Sequence, residues 1–165
     1  MSLSIALTQN TISPDIAKKA ALARNPERVW QAAGLQVVSI TKRAFRDASM
    51  RSSAWPSKAF GGGASNLIRK GVLLSSIRIV SADKSGVTVG SDRKYAAIHQ
   101  LGGVIKAKPG KRLVFRIGGK THFAKSVRIP ARPYFPFTPS GDIAPQHKAR
   151  IEKVIVTAAD KQLLP

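Results

Sequence analysis

The sequence predicts an α+β fold in which N-terminal helices and a C-terminal helix pack on a largely antiparallel β-sheet with a long protruding β-hairpin. Three observations predict it: proline-opened amphipathic segments in the first 47 residues, β-branched runs punctuated by glycine in the middle, and a third amphipathic segment after a proline-rich stretch. At 165 residues without cysteine, the chain reads as one domain, 1–165, that can bury roughly 70% of its unfolded surface. Its parts are a helical portion at 1–50, a β-rich portion at 66–135 and a C-terminal helix at 142–162.

Ser13-Pro14-Asp15 combines a capping hydroxyl, a proline at the first helical position and an acid in the first turn. It predicts a short helix ending near Arg24. Asn25-Pro26-Glu27 repeats the signal and predicts a second helix to about Asp47, with Val29, Ala33, Val37, Ile40 and Ala44 as one apolar stripe. Trp30, Val38 and Phe45 widen that stripe, and Gly34 is its weak point.

Ser52 to Ser65, with Trp55-Pro56 and Gly61-Gly62-Gly63, reads as the most mobile loop. Val72 to Ser81 and Val87 to Gly90 then read as two strands of a hairpin closed by Ala82 to Gly86. Tyr95 to Leu101 reads as a short helical turn stopped by Gly102-Gly103. Its Tyr95, Ile98 and Leu101, at helical spacing, are expected to pack the turn on the sheet.

A longer hairpin follows, Lys111 to Ile117 and Thr121 to Ile129. Side-chain alternation favours a bulged three-residue loop, Gly118-Gly119-Lys120, which pairs Phe115 with Phe123 and Arg116 with His122. One face of the hairpin is then core and the other strongly basic. Prolines at 130, 133, 136 and 139 recur every third residue, the period of a polyproline II strand, and predict a stiff connector. Asp142 and Pro145 open the last helix, whose shared face is His147, Ile151, Val154, Ile155 and Ala158.

The chain carries 28 Lys and Arg against 8 Asp and Glu, a formal charge of +20. Residues 48–141 hold 17 of the basic and only 2 of the acidic side chains, and no acid lies between Asp92 and Asp142. Such a block repels itself unless it is spread out, paired with a neighbour's acids, or facing phosphate. Lys111, Arg112, Arg116, Lys120, Lys125 and Arg128 are therefore the candidate polyanion-contacting residues. His122 reads equally as a phosphate contact or as a solvated side chain.

The same inventory argues against an enzyme. There is no thiol, and His99, His122 and His147 lie at no metal-ligand spacing from one another or from a carboxylate. No two acids are spaced as a general acid and base, and Gly61-Gly62-Gly63 lacks the Lys-Ser/Thr of a phosphate loop. No catalytic residue, metal site or cofactor is expected. The N-terminal residues lack a secretory pattern, and no apolar run approaches the ~20 residues that span a bilayer, so the expectation is a soluble, cytoplasmically made protein with no membrane partner.

Three stretches are more specific jointly than singly: "LIRKGVLLSSI" (67–77), "YAAIHQLGG" (95–103) and "IPARPYF" (129–135), preceded by "AWP" at 54–56. In this order they resemble the hallmark segments of the phage virion-morphogenesis family, the tail-completion proteins of Mu-like and related contractile-tailed phages, over roughly residues 50–160. Where that family usually carries an acidic-Thr-Gly turn, this chain has Arg69-Lys70 before Gly71. The resemblance implies a non-enzymatic virion component of the neck, built in the host cytoplasm as a homo-oligomeric ring, hexameric by analogy. It further implies portal or other head-side connector proteins and tail terminator or tail tube proteins as partners, with genomic DNA passing non-specifically through the lumen. Trp55, Gly71, Tyr95, His99, Gly102, Gly103, Pro130, Arg132 and Pro133 become structural or subunit-interface positions. His99 is expected to bond backbone locally, or else across a subunit boundary. The competing class is a sequence-independent nucleic-acid-binding protein of the ribosomal or nucleoid kind.

Overall fold

The structure is a computed structural model that describes residues 3–57, 67–68, 70–138 and 140–163. In chain order its elements are β1 (Leu3–Thr8), α1 (Pro14–Leu22), α2 (Pro26–Ala44), α3 (Val72–Ser75), β2 (Arg78–Ala82), β3 (Gly86–Ser91), α4 (Ala96–Leu101), β4 (Gly103–Lys106), β5 (Leu113–Ile117), β6 (Lys120–Ala124), β7 (Ser126–Ile129) and α5 (Pro145–Leu163). The class is α+β, and every strand pairing is antiparallel.

A three-stranded sheet in the order β1-β3-β2 forms one layer. Its central strand is buried nearly throughout. The outer strand β1 comes from the stretch 3–8, where Leu3, Ile5 and Leu7 alternate with polar or small residues. That period-two signal is present in the sequence, although the N-terminal portion reads there as helical only.

Helix α2 lies on β2 and β3 and is covered by α5, to which α1 also packs. Val29, Trp30, Ala33, Val37, Ile40 and Ala44 are all at most 1% exposed, each contributing roughly 1.5–3 kcal/mol of burial for the larger side chains. The Trp30 indole N–H donates to the Lys84 carbonyl at 3.2 Å, tying the helix to the β2–β3 turn. Gly34, expected to weaken α2, is where helix and sheet come closest: a Cβ there would sit 2.6 Å from Val87 Cγ2 and 3.0 Å from Ile79 Cδ1. The missing side chain is what lets the layers touch.

The two helix starts fall where the prolines put them, yet only one cap forms as expected. Asn25 Oδ1 accepts from the Arg28 amide at 3.3 Å. Ser13 does not cap α1; its hydroxyl and amide both donate to Glu152 Oε1 on α5, at 2.7 and 2.9 Å. A carboxylate is the stronger acceptor, and α5 brings one within reach. On α5 the buried face is His147, Ile151, Ile155 and Ala159, with Val154 and Ala158 at its margin.

Residues 72–75 are helical, not the start of a strand. Gly71 takes a left-handed conformation (φ 71°) and its carbonyl accepts from the Ser75 amide at 2.9 Å, closing one helical turn before the chain extends at Arg78. The proline-rich stretch is more than a connector: Tyr134 and Phe135 are fully buried and Phe137 is 3% exposed. The glycine run 61–63, expected as mobile loop, lies outside the described residues.

Candidate functional site

Two regions gather the candidate residues. In the first, the second and third hallmark stretches and the Trp55 segment meet around Tyr134. Gln100 on α4 is buried, and its Oε1 accepts from the amides of Tyr134 (2.9 Å) and Phe135 (3.1 Å). The Tyr134 hydroxyl donates to the Ala96 carbonyl at 2.9 Å, and the Arg132 amide donates to the His99 carbonyl at 2.7 Å. From the other side the Trp55 indole donates to the Pro133 carbonyl at 2.7 Å. Phe45 stacks at a tilt on Tyr134, with centroids 5.0 Å apart, and edge-on against Trp55 at 6.2 Å. The Arg51 guanidinium caps the Trp55 ring at 3.9 Å, a cation–π contact.

An irregular segment has no ladder to satisfy its amides, so its burial requires side-chain acceptors. Gln100 meets that requirement for two of them. Gly102 completes the approach: its φ is 72°, and a Cβ would meet the Ala131 amide nitrogen at 2.8 Å. Gly103, φ 152°, begins β4 directly after it. Pro130 is exposed at the entry to this segment.

The helical turn does not pack as its apolar spacing suggests. Tyr95 is 41% and Leu101 65% exposed, while Ala96 and Gln100 are buried. The amides of 134 and 135 outweigh the apolar stripe, because burying them unpaired costs more than exposing two apolar side chains. Tyr95 instead stands edge-on to His99, centroids 5.9 Å apart. His99 bonds locally through its backbone, its amide donating to the Tyr95 carbonyl at 3.3 Å and its carbonyl accepting from Arg132. Its Nδ1 is buried without a hydrogen-bond partner among the described residues, and so is Nε of Arg132. Burial lowers the pKa of His99, with the Arg132 charge as a second cause. The other end of Arg132 reaches the carbonyls of Pro56 and Ser57, both at 3.4 Å.

The second region is the basic ribbon. β4 pairs with β7, and β5 with β6, so residues 103–129 form a two-stranded ribbon interrupted by an excursion at 107–112 opposite Lys125. The excursion turns at Pro109-Gly110, where the Lys111 amide donates to the Lys108 carbonyl at 3.0 Å. Lys108, Lys111, Arg112 and Lys125 thereby line one concavity of about 450 Å³. Lys111, Arg112 and Lys125 are among the polyanion-contacting candidates of the sequence. Lys108 joins them only because the excursion curls back.

The hairpin register differs from the expected one. Gly118-Gly119 alone form the turn, with φ of 56° and 79°, and Phe115 pairs with His122, Arg116 with Thr121, and Ile117 with Lys120. Consecutive positive φ angles give the two-residue turn whose twist matches the strands. Side-chain alternation fixes a register only over a buried face, and the hairpin has none: Val114 and Phe123, cross-strand partners, are 62% and 61% exposed. Phe115 stacks on His122 instead, with centroids 5.8 Å apart. Arg116 and Lys120 fall on opposite faces of the ribbon, and Arg128 pairs with Val104 on β4.

Among the described residues no carboxylate pairs with a ribbon cation. The ion pairs among the described residues are Lys19–Asp160, Arg78–Asp92 and Arg93–Asp92. Among the described residues no His, Asp and Glu side chains cluster as a metal site, and no helix is long and apolar enough to cross a membrane.

No curated protein and no solved structure gives a significant match to the chain. Residues 9–158, however, match the sequence profile of the phage virion morphogenesis family. That span contains all three hallmark stretches, the Tyr134 junction and the whole ribbon. The chain therefore belongs to the phage virion morphogenesis family, with a role in building the phage particle.

Proposed function

We propose that this chain is a structural, non-enzymatic protein of the phage neck, forming a hexameric ring that completes the tail and joins it to the DNA-filled head. Genomic DNA passes through the lumen, and the ribbon cations Lys111, Arg112, Arg116, Lys120, Lys125 and Arg128 face its phosphates. The single observation that carries this reading is the conjunction of family membership with a projecting ribbon whose cations have no carboxylate partner among the described residues. Phosphate contacts position a protein on DNA without reading sequence, as a ring sliding over a genome requires. The two-stranded arm also favours assembly, since β5 and β6 pack substantially only on each other and leave both outer edges unpaired.

The test is microscopy and mass analysis of particles. Virions should carry about six copies at the head-tail junction, and phage lacking the protein should yield unjoined heads and tails. Particles without it at the junction would overturn the reading. A monomer in free solution would not, because rings of this kind can close on their partners alone. The excess of charge supports a second reading, a sequence-independent nucleic-acid-binding protein. Tight DNA binding by a protein absent from the assembled particle would favour it.

A further inference from the structure

A second cationic surface lies on the helical body, away from the ribbon. Between α2 and α5 runs an open groove of about 710 Å³. On α2 it is lined by Ala32, Gln36, Ser39 and Arg43, and on α5 by Arg150, Val154, Thr157 and Lys161. Both sets follow the same spacing of four, three and four residues, so each helix offers one continuous face about 16 Å long at 1.5 Å per residue. The helices run antiparallel, since Asn25 bonds Gln162 at one end and Met50 bonds His147 at the other.

The floor of this groove is small and apolar, made by Ala32, Val154 and Ala158, and Lys153 adds a further cation to its wall. Arg43, Arg150, Lys153 and Lys161 are all exposed, and none meets a carboxylate among the described residues. The reason lies in where α5 directs its own acids. Glu152 receives Ser13, and Asp160 pairs with Lys19, so both face α1 and leave the groove side of the helix uniformly positive. The C-terminal residues 142–165 carry four basic and three acidic side chains, which hides this segregation in the sequence.

We propose that the α2–α5 groove is a docking site for an acidic amphipathic helix of another protein, one with an apolar stripe flanked by Asp or Glu. Small residues on the floor let a helix approach closely, and an apolar stripe covers Val154 and the alanines while its flanking acids meet the four cations. A nucleic acid offers phosphate but nothing to cover that floor. A second copy of this chain does not fit either. Its eight acids stand at 15, 27, 47, 83, 92, 142, 152 and 160, so no two share a face one turn apart. The proposal stands apart from the ring reading, because no ribbon residue lines the groove.

The probe is a fluorescent synthetic peptide of about four helical turns, with Leu and Ala at i, i+3, i+4 and i+7 and Glu on both flanks, compared with a scrambled peptide of identical composition and with a short DNA duplex. Fluorescence anisotropy on the full chain should show binding that weakens about tenfold with Arg43→Glu/Lys153→Glu and about threefold with the charge-neutral Val154→Gln. Arg116→Glu/Lys120→Glu on the ribbon should leave peptide affinity unchanged. All of these substituted side chains are at least partly exposed, and thermal melts verify that each variant folds. Absence of binding, equal affinity for the scrambled peptide, or a groove charge reversal that weakens duplex binding more than peptide binding would overturn the proposal.

Discussion

The side-chain oxygen of Gln100 holds the amides of Tyr134 and Phe135 at 2.9 and 3.1 Å, and the Tyr134 hydroxyl returns to the Ala96 carbonyl at 2.9 Å. One residue of the second hallmark stretch thus anchors the third. Gln100→Ala leaves two buried amides unpaired, each costing roughly 1–3 kcal/mol. The variant should lose about 3 kcal/mol, a fall in melting temperature of roughly 6–12 °C for a domain of this size, measured by calorimetry. A loss below about 1 kcal/mol would mean that the amides find other partners.

Gly34→Ala tests the contact between α2 and the sheet. Helix propensity alone favours alanine by about 1 kcal/mol. The new methyl, however, would lie 2.6 Å from Val87 Cγ2, and overpacking of this kind costs about 1–3 kcal/mol. Chemical denaturation should show a net loss of stability, and a gain would show that Val87 and Ile79 yield freely.

His99 and His147 both have pKa values lowered chiefly by burial; at His147 a bond to the Met50 carbonyl opposes the shift and Arg150 adds to it. For both, the unfolded chain binds protons more readily than the folded one. Stability contributed by their neutral forms is present above the unfolded value of about 6.5 and is lost as pH falls below it. The melting temperature should therefore drop between pH 7.5 and 5.5, before the carboxylates titrate. Replacing both histidines with glutamine should flatten that slope, and an unchanged slope would assign the effect to other groups.

The ribbon predicts a salt dependence. Replacing Arg112, Arg116, Lys120 and Arg128 with alanine should weaken binding to duplex DNA uniformly across sequences. It should also reduce the slope of log K against log salt by roughly one unit for each phosphate that is no longer neutralised, read from titrations at several salt concentrations. An unaltered slope would place the DNA-binding surface elsewhere.

The amino-acid sequence alone determined the class, the helix starts at Pro14, Pro26 and Pro145, the stripe of α2, the concentration of charge in the middle and the hallmark order. These are legible because helix periodicity, proline geometry and charge are local properties. The tertiary structure decided the rest. The ribbon register followed the Gly118-Gly119 turn, because no core beneath Val114 and Phe123 enforces the alternation. The buried face of α4 followed the unpaired amides of 134 and 135, a demand that arises only once that irregular segment enters the core. The cationic groove exists because Ser13 and Lys19 draw Glu152 and Asp160 toward α1. A side chain's partner depends on which element packs beside it, and that is settled only when the chain has folded.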